Sequence, residues 1–147
     1  MNFRKVFPIL VLALASVSPA ANALLLPRHS QATVLLPNGD FMVIGGVVAD
    51  PNTPTATAEI YFTSAATWGS AGAMTTARSS HTATLLSDGR VLVAGGFNSG
   101  TPLQSAEIYN PLDKSWTYLG AAAMISARGA HTATLLSKGA NSGKAMI

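Results

Sequence analysis

The sequence predicts an all-β fold built from repeated four-stranded antiparallel units. Three observations carry that prediction. The stretch from Arg78 through His81 to Leu86 returns as Arg128 through His131 to Leu136, and a worn copy runs from Arg28 through Gln31 to Leu36. Asn38-Gly39 and Asp88-Gly89 stand at matching places between β-prone runs, and such dipeptides supply the positive φ angles of a tight hairpin turn. No convincing helical pattern occurs after residue 23. A unit recurring about every fifty residues cannot bury its own apolar face and must pack on its neighbours.

Residues 1–23 stand apart from the repeats. Arg4 and Lys5 precede an apolar run from Val6 to Val17, and Ala21-Asn22-Ala23 offers small residues for cleavage. That run falls short of the ~20 residues a membrane-spanning helix needs. The expectation is a signal peptide cut after Ala23, with a secreted or periplasmic product and no membrane span. Repeats then fill residues 24–147, as units 28–77 and 78–127 and a partial unit 128–147.

Each unit reads as four strands. Thr82 to Leu86 is the first, and Arg90 to Ala94, like Asp40 to Ile44, is an apolar second strand covered on both faces. Gly45-Gly46 and Gly95-Gly96 end it, allowing close backbone approach. A loop follows, then Ser105 to Tyr109 as the third strand. Asn110 to Ser115 is turn chemistry, and Trp116 to Leu119 is the fourth.

Four antiparallel strands per unit describe a β-propeller blade. The order Gly45-Gly46, Tyr61, Trp68, Met74, repeated as Gly95-Gly96, Tyr109, Trp116, Met124, resembles the kelch motif. The run from His81 to Gly96 is similar to exported bacterial kelch proteins, including the galactose-oxidase-like central-domain type. The resemblance covers essentially all of residues 24–147. It implies kelch-type propeller blades, about two and a half of them, and a framework role for Glu59 and Glu107. Ring closure takes about four to eight blades. Lys144 to Ile147 aligns with Arg90 to Val93 after a longer turn at 138–143. The chain is therefore expected to be the N-terminal part of a longer propeller. The alternative is a ring closed by homo-oligomerisation.

Charge and motif content narrow the function. After Ala23 there are seven Lys and Arg against six Asp and Glu, without the clustered basic face of a nucleic-acid binder. Cysteine is absent, so packing alone holds the fold and a tyrosine–cysteine copper centre has no cysteine here. No nucleophile elbow, zinc helix or phosphate loop occurs. Tyr61, Tyr109, Trp68 and Trp116 read as inter-blade packing, since a residue present in every unit serves the unit. His81 and His131 read as structural or surface histidines, because Gln31 rather than His29 is their third equivalent.

The candidate ligand-binding rim comprises Arg28, Arg78, Arg128, Asp50, Asn52 and Asn98. In a four-strand meander the inter-unit linkers share an end with the loops after the double glycines. Arginines there suit forked recognition of carboxylates or acidic sugars. A second reading stays open, in which the arginines cap strand ends or pair with Glu59 or Glu107. The expected role is a protein- or glycan-binding scaffold without catalysis, metal or cofactor. The alternative is the N-terminal fragment of a carbohydrate-active propeller enzyme, an oxidase or sugar isomerase.

Overall fold

The computed structural model describes residues 24, 26–48, 53–137 and 142–147. The expected signal peptide at 1–23 lies outside the described residues, as do Asp50 and Asn52. The first unit holds β1 (Arg28–His29), β2 (Ala32–Leu35), β3 (Phe41–Ile44), β4 (Val47–Val48), β5 (Thr53–Pro54), β6 (Thr57–Phe62) and β7 (Thr67–Ala73). The second holds β8 (Thr82–Leu85), β9 (Val91–Ala94), β10 (Phe97–Asn98), β11 (Thr101–Pro102), β12 (Ala106–Asn110) and β13 (Ser115–Tyr118). A last hairpin joins β14 (Thr134–Leu135) to β15 (Ala145–Met146). No helix occurs among the described residues.

The two blades are four-stranded antiparallel sheets with the same order, β2-β3-β6-β7 and β8-β9-β12-β13. Their first hairpins close on the predicted turns, where Gly39 and Gly89 take φ of 86° and 85°. Corresponding residues pair in register: Val43 faces Glu59 in the first blade and Val93 faces Glu107 in the second. The final hairpin keeps the pattern. Leu135 pairs with Ala145 as Leu85 pairs with Val91, so the longer turn restores the alignment of Lys144–Ile147 with Arg90–Val93.

The stretches after the double glycines are more ordered than loops. β4 and β5 pair with each other, and β1 joins β4. In the next unit β10 pairs with β11, and Ser79 bridges to Phe97. Two-residue strands leave too short a pattern to read along the chain, and each hairpin is joined by a residue of the linker that opens its unit.

The main core lies between the blades. Met42, Ile44, Ile60, Ala71 and Met74 of the first pack with Val91, Val93 and Tyr109 of the second. Each fully buried aliphatic side chain of this kind contributes about 1.5–3 kcal/mol relative to exposure. A smaller cluster, Ala94, Ala106 and Met124 with Ile147 against it, begins the next interface. Neither sheet is closed by itself; each buries its face on the other.

Candidate functional site

The linkers between blades are built from one recurring device. Arg78 follows β7 and binds both blades at once. Its backbone N–H donates to Thr55 O at 3.3 Å, and its carbonyl accepts from Gly46 N at 2.8 Å, both in the first blade. Its guanidinium turns to the second blade, donating to Gly95 O at 2.9 Å, Ser105 O at 3.2 Å and Glu107 Oε1 at 2.9 Å. Glu107 also accepts from the Thr75 and Thr76 amides at 2.6 and 3.0 Å. Burial lowers the Arg78 pKa, and the bond to Glu107 opposes that loss. Arg28 repeats the arrangement with Gly45 O at 3.1 Å, Thr57 O at 2.9 Å and the Glu59 carboxylate.

This geometry corrects the rim expectation for two of the arginines. The side chains of Arg28 and Arg78 have no exposed surface, because each guanidinium is drawn inward to its own carboxylate. A buried charge without a partner would be several kcal/mol less stable, so the carboxylate decides where the arginine points. Arg128 keeps the backbone contacts, with Gly96 N donating to its carbonyl at 2.8 Å and its own N–H donating to Leu103 O at 3.0 Å. Its guanidinium donates to Ile147 O at 3.1 Å and Ser126 Oγ at 2.8 Å. Asn98 is half-buried on β10.

The double glycines serve this linker. Gly45 and Gly95 adopt φ of 57° and 62°, and Gly46 and Gly96 adopt 97° and 93°. A Cβ on Gly45 would meet Arg78 O at 2.5 Å and His81 Cε1 at 2.7 Å. Both the conformation and the closeness of the next linker therefore require glycine. Ser30, Ser80 and Ala130, at equivalent places, also take positive φ of 54°, 51° and 51°. They form a backbone ladder, Ser80 N to Ser30 O and Ala130 N to Ser80 O, each at 2.8 Å.

The tyrosine–tryptophan spacing has a simple cause. Tyr61 faces Trp68 and Tyr109 faces Trp116 across their hairpins. The rings lie 5.3 and 5.0 Å apart, tilted by 55° and 45°, a favourable aromatic arrangement. Trp116 Nε1 donates to Ala71 O of the preceding blade at 2.9 Å. The Tyr109 hydroxyl is buried without a hydrogen-bond partner among the described residues.

Residues 78–121 match the family model described as the Kelch motif. The kelch match is to that stretch, the second unit. The chain's blades resemble, at a TM-score of 0.50 and 24% identity, the solved structure of a "novel fungal alcohol oxidase with catalytic diversity among the AA5 family, in complex with copper". The likeness covers 60% of this chain and 18% of that one, and it is a likeness of fold. No curated protein matches the chain.

Two features of the kelch blades were not apparent from sequence. His81 is buried, and neither ring nitrogen has a hydrogen-bond partner among the described residues. Burial, then the charges of Arg78 and His131, push its pKa down to about 3, with the nearby Ile44 backbone opposing. Asp40, also buried, accepts from the Thr63 N–H and hydroxyl at 2.9 and 3.1 Å, tying two turns of the first blade together. Only the hairpin register, which places residue 40 beside residue 63, exposes that role.

Beside the end of β11, a cleft of about 370 Å³ is lined by Thr76, Pro102, Gln104 and Tyr118 among others. The neighbouring β10–β11 hairpin projects Ser99, Gly100, Thr101 and Pro102 into solvent.

Proposed function

We propose that this kelch module is a binding scaffold that presents the hairpins after its double glycines to a protein or glycan partner. The supporting observation is the exposed β10–β11 hairpin beside a cleft, on a frame in which two of the three linker arginines are spent internally. Arg28 and Arg78 are consumed by Glu59 and Glu107, which leaves Asn98, Ser99 and Thr101 as the variable chemistry of that rim. Hydroxyl and amide groups of this kind suit adaptable hydrogen bonding to a polar partner. The role assigned to the blades is rigidity.

Copper belongs to the fungal alcohol oxidase by its own description. Among the described residues no three His, Cys, Asp or Glu side chains gather as a metal would need, and the chain has no cysteine. The residues described do not fit a copper centre.

The test is to screen the whole protein against an immobilised glycan panel and repeat any positive with Asn98→Ala and Thr101→Ala. Loss of binding at an unchanged melting temperature supports the reading. Binding indifferent to both substitutions, or no binding to any glycan or protein partner tried, overturns it.

A further inference from the structure

The β2–β3 turn carries the only asparagine in the sequence that is followed by glycine, Asn38-Gly39. The equivalent turn of the second blade carries Asp88-Gly89, and the two turns are wired differently. Asn38 Nδ2 donates to Asp40 Oδ2 at 2.8 Å, and the Asp40 N–H donates to Asn38 Oδ1 at 3.2 Å. Asp88 instead forms an ion pair with Arg90, which stands where Asp40 stands in the first blade. An amide thus meets an acid in one turn, and an acid meets a base in the other.

Asp40 has no room for a second negative charge. It is buried, and its Oδ1 accepts from the Thr63 N–H and hydroxyl at 2.9 and 3.1 Å, linking the β2–β3 turn to the β6–β7 turn. Among the described residues no cation lies within ion-pair distance of it. Asn38 itself is exposed, and it lines an open cleft of about 330 Å³ with Pro37, Asp88 and Leu112 among others. Water therefore reaches its amide.

We propose that Asn38 is a site of spontaneous deamidation, and that the product loosens the tie between Asp40 and Thr63. The Gly39 nitrogen attacks Asn38 Cγ; its proton and the amide nitrogen leave as ammonia, and a cyclic imide closes. Water then opens the ring at one carbonyl or the other, giving aspartate or isoaspartate. Glycine at 39 has no Cβ to hinder the approach. In the closed turn the Gly39 N–H donates to Leu36 O at 2.9 Å, so the attack waits on local opening of the hairpin. Aspartate puts a like charge where the donor to Asp40 stood. Isoaspartate adds one methylene to the backbone inside the hairpin and disturbs the β2–β3 register. An acid is accommodated at residue 88 because Arg90 answers it; at residue 38 Asp40 repels it. This site is independent of the β10–β11 rim, and neither reading depends on the other.

The test incubates the whole protein for days at mildly alkaline pH and reads every asparagine by peptide mass spectrometry. Asn38 should gain about 1 Da ahead of the others, and the melting temperature should fall as the modified fraction grows. Asn38→Asp supplies one product directly and should lower the melting temperature by about 4 °C or more at neutral pH. In an Asp40→Asn background the same substitution should cost clearly less, because an amide again faces a carboxylate. Earlier conversion of another asparagine, or none at Asn38, overturns the proposal. So does a loss from Asn38→Asp that is equal in both backgrounds, or absent. If Asn38→Asp does not fold alone, folding restored by Asp40→Asn supports the proposal, and failure in both backgrounds overturns it.

Discussion

Arg78 Nη2 lies 2.9 Å from Glu107 Oε1, and neither side chain has any exposed surface. The pair spans a linker and the third strand of the following blade, so it reports on two blades together. Arg78→Met should destabilise the protein by about 3–5 kcal/mol, because Glu107 is left as an uncompensated buried charge. Glu107→Gln leaves the buried Arg78 guanidinium without its carboxylate and should cost a similar amount, about 3–5 kcal/mol. Combining Arg78→Met with Glu107→Leu should recover part of the first loss. Urea unfolding checks the cycle, and a cost under about 1 kcal/mol for Arg78→Met would show that the clamp carries no weight.

His81 predicts a specific acid sensitivity. Its folded pKa, about 3, lies below the unfolded value near 6.5, so on acidification the unfolded chain takes up the proton first. Stability is therefore complete above pH ~6.5 and declines as pH falls toward 3, by at most about 1.4 kcal/mol per unit. His131, also lowered chiefly by burial, acts in the same direction. Asp88 and Asp113 have lowered pKa values through local hydrogen bonds and lose those only at more acid pH. His81→Gln, the residue found at position 31 of the first unit, should flatten the slope between pH 6.5 and about 5. Melting temperatures across that window, unchanged in slope by the substitution, would refute the assignment.

Two glycines with positive φ should respond differently to alanine. Gly100 has φ of 82° and open space where a methyl would stand, so Gly100→Ala should cost only the conformational strain of about 1–2 kcal/mol. At Gly95 a methyl would also lie 2.7 Å from His131 Cε1 and overlap the Arg128 carbonyl. Gly95→Ala should cost clearly more, since the next linker must move. Equal melting-temperature losses would contradict the close approach.

Tyr109→Phe isolates a buried hydroxyl. Its pKa is raised, first by burial and then by Asp113, and the hydroxyl has no hydrogen-bond partner among the described residues. Removing it should leave stability unchanged or raise it by about 1 kcal/mol. A loss larger than that in thermal unfolding would place an ordered water or other partner on the oxygen.

Local chemistry made most of the fold readable. Asn38-Gly39 and Asp88-Gly89 mark hairpins because those turns need positive φ, and Tyr109 and Trp116 keep their spacing because they face each other across one. The hairpins containing β4, β5, β10 and β11 escaped because strands of two residues have no periodicity to detect. The candidate site was half legible. Read along the chain, Arg28 and Arg78 suit either a rim or an ion pair with Glu59 and Glu107; burial, a property of the packed blades, selects the pair. His81 was opaque for the same reason, since what covers it is Gly45 of the preceding unit.

The two-sided hold of Arg78 gives the fold a direction in time. Its backbone is bonded to Gly46 and Thr55, which leave the ribosome before it, whereas Glu107 follows 29 residues later. A newly finished first blade thus ends in a cation that nothing yet answers, and only the third strand of the next blade silences it. In the finished fold the same residue thus faces backward through its backbone and forward through its charge, so neither blade can shift without disturbing the other.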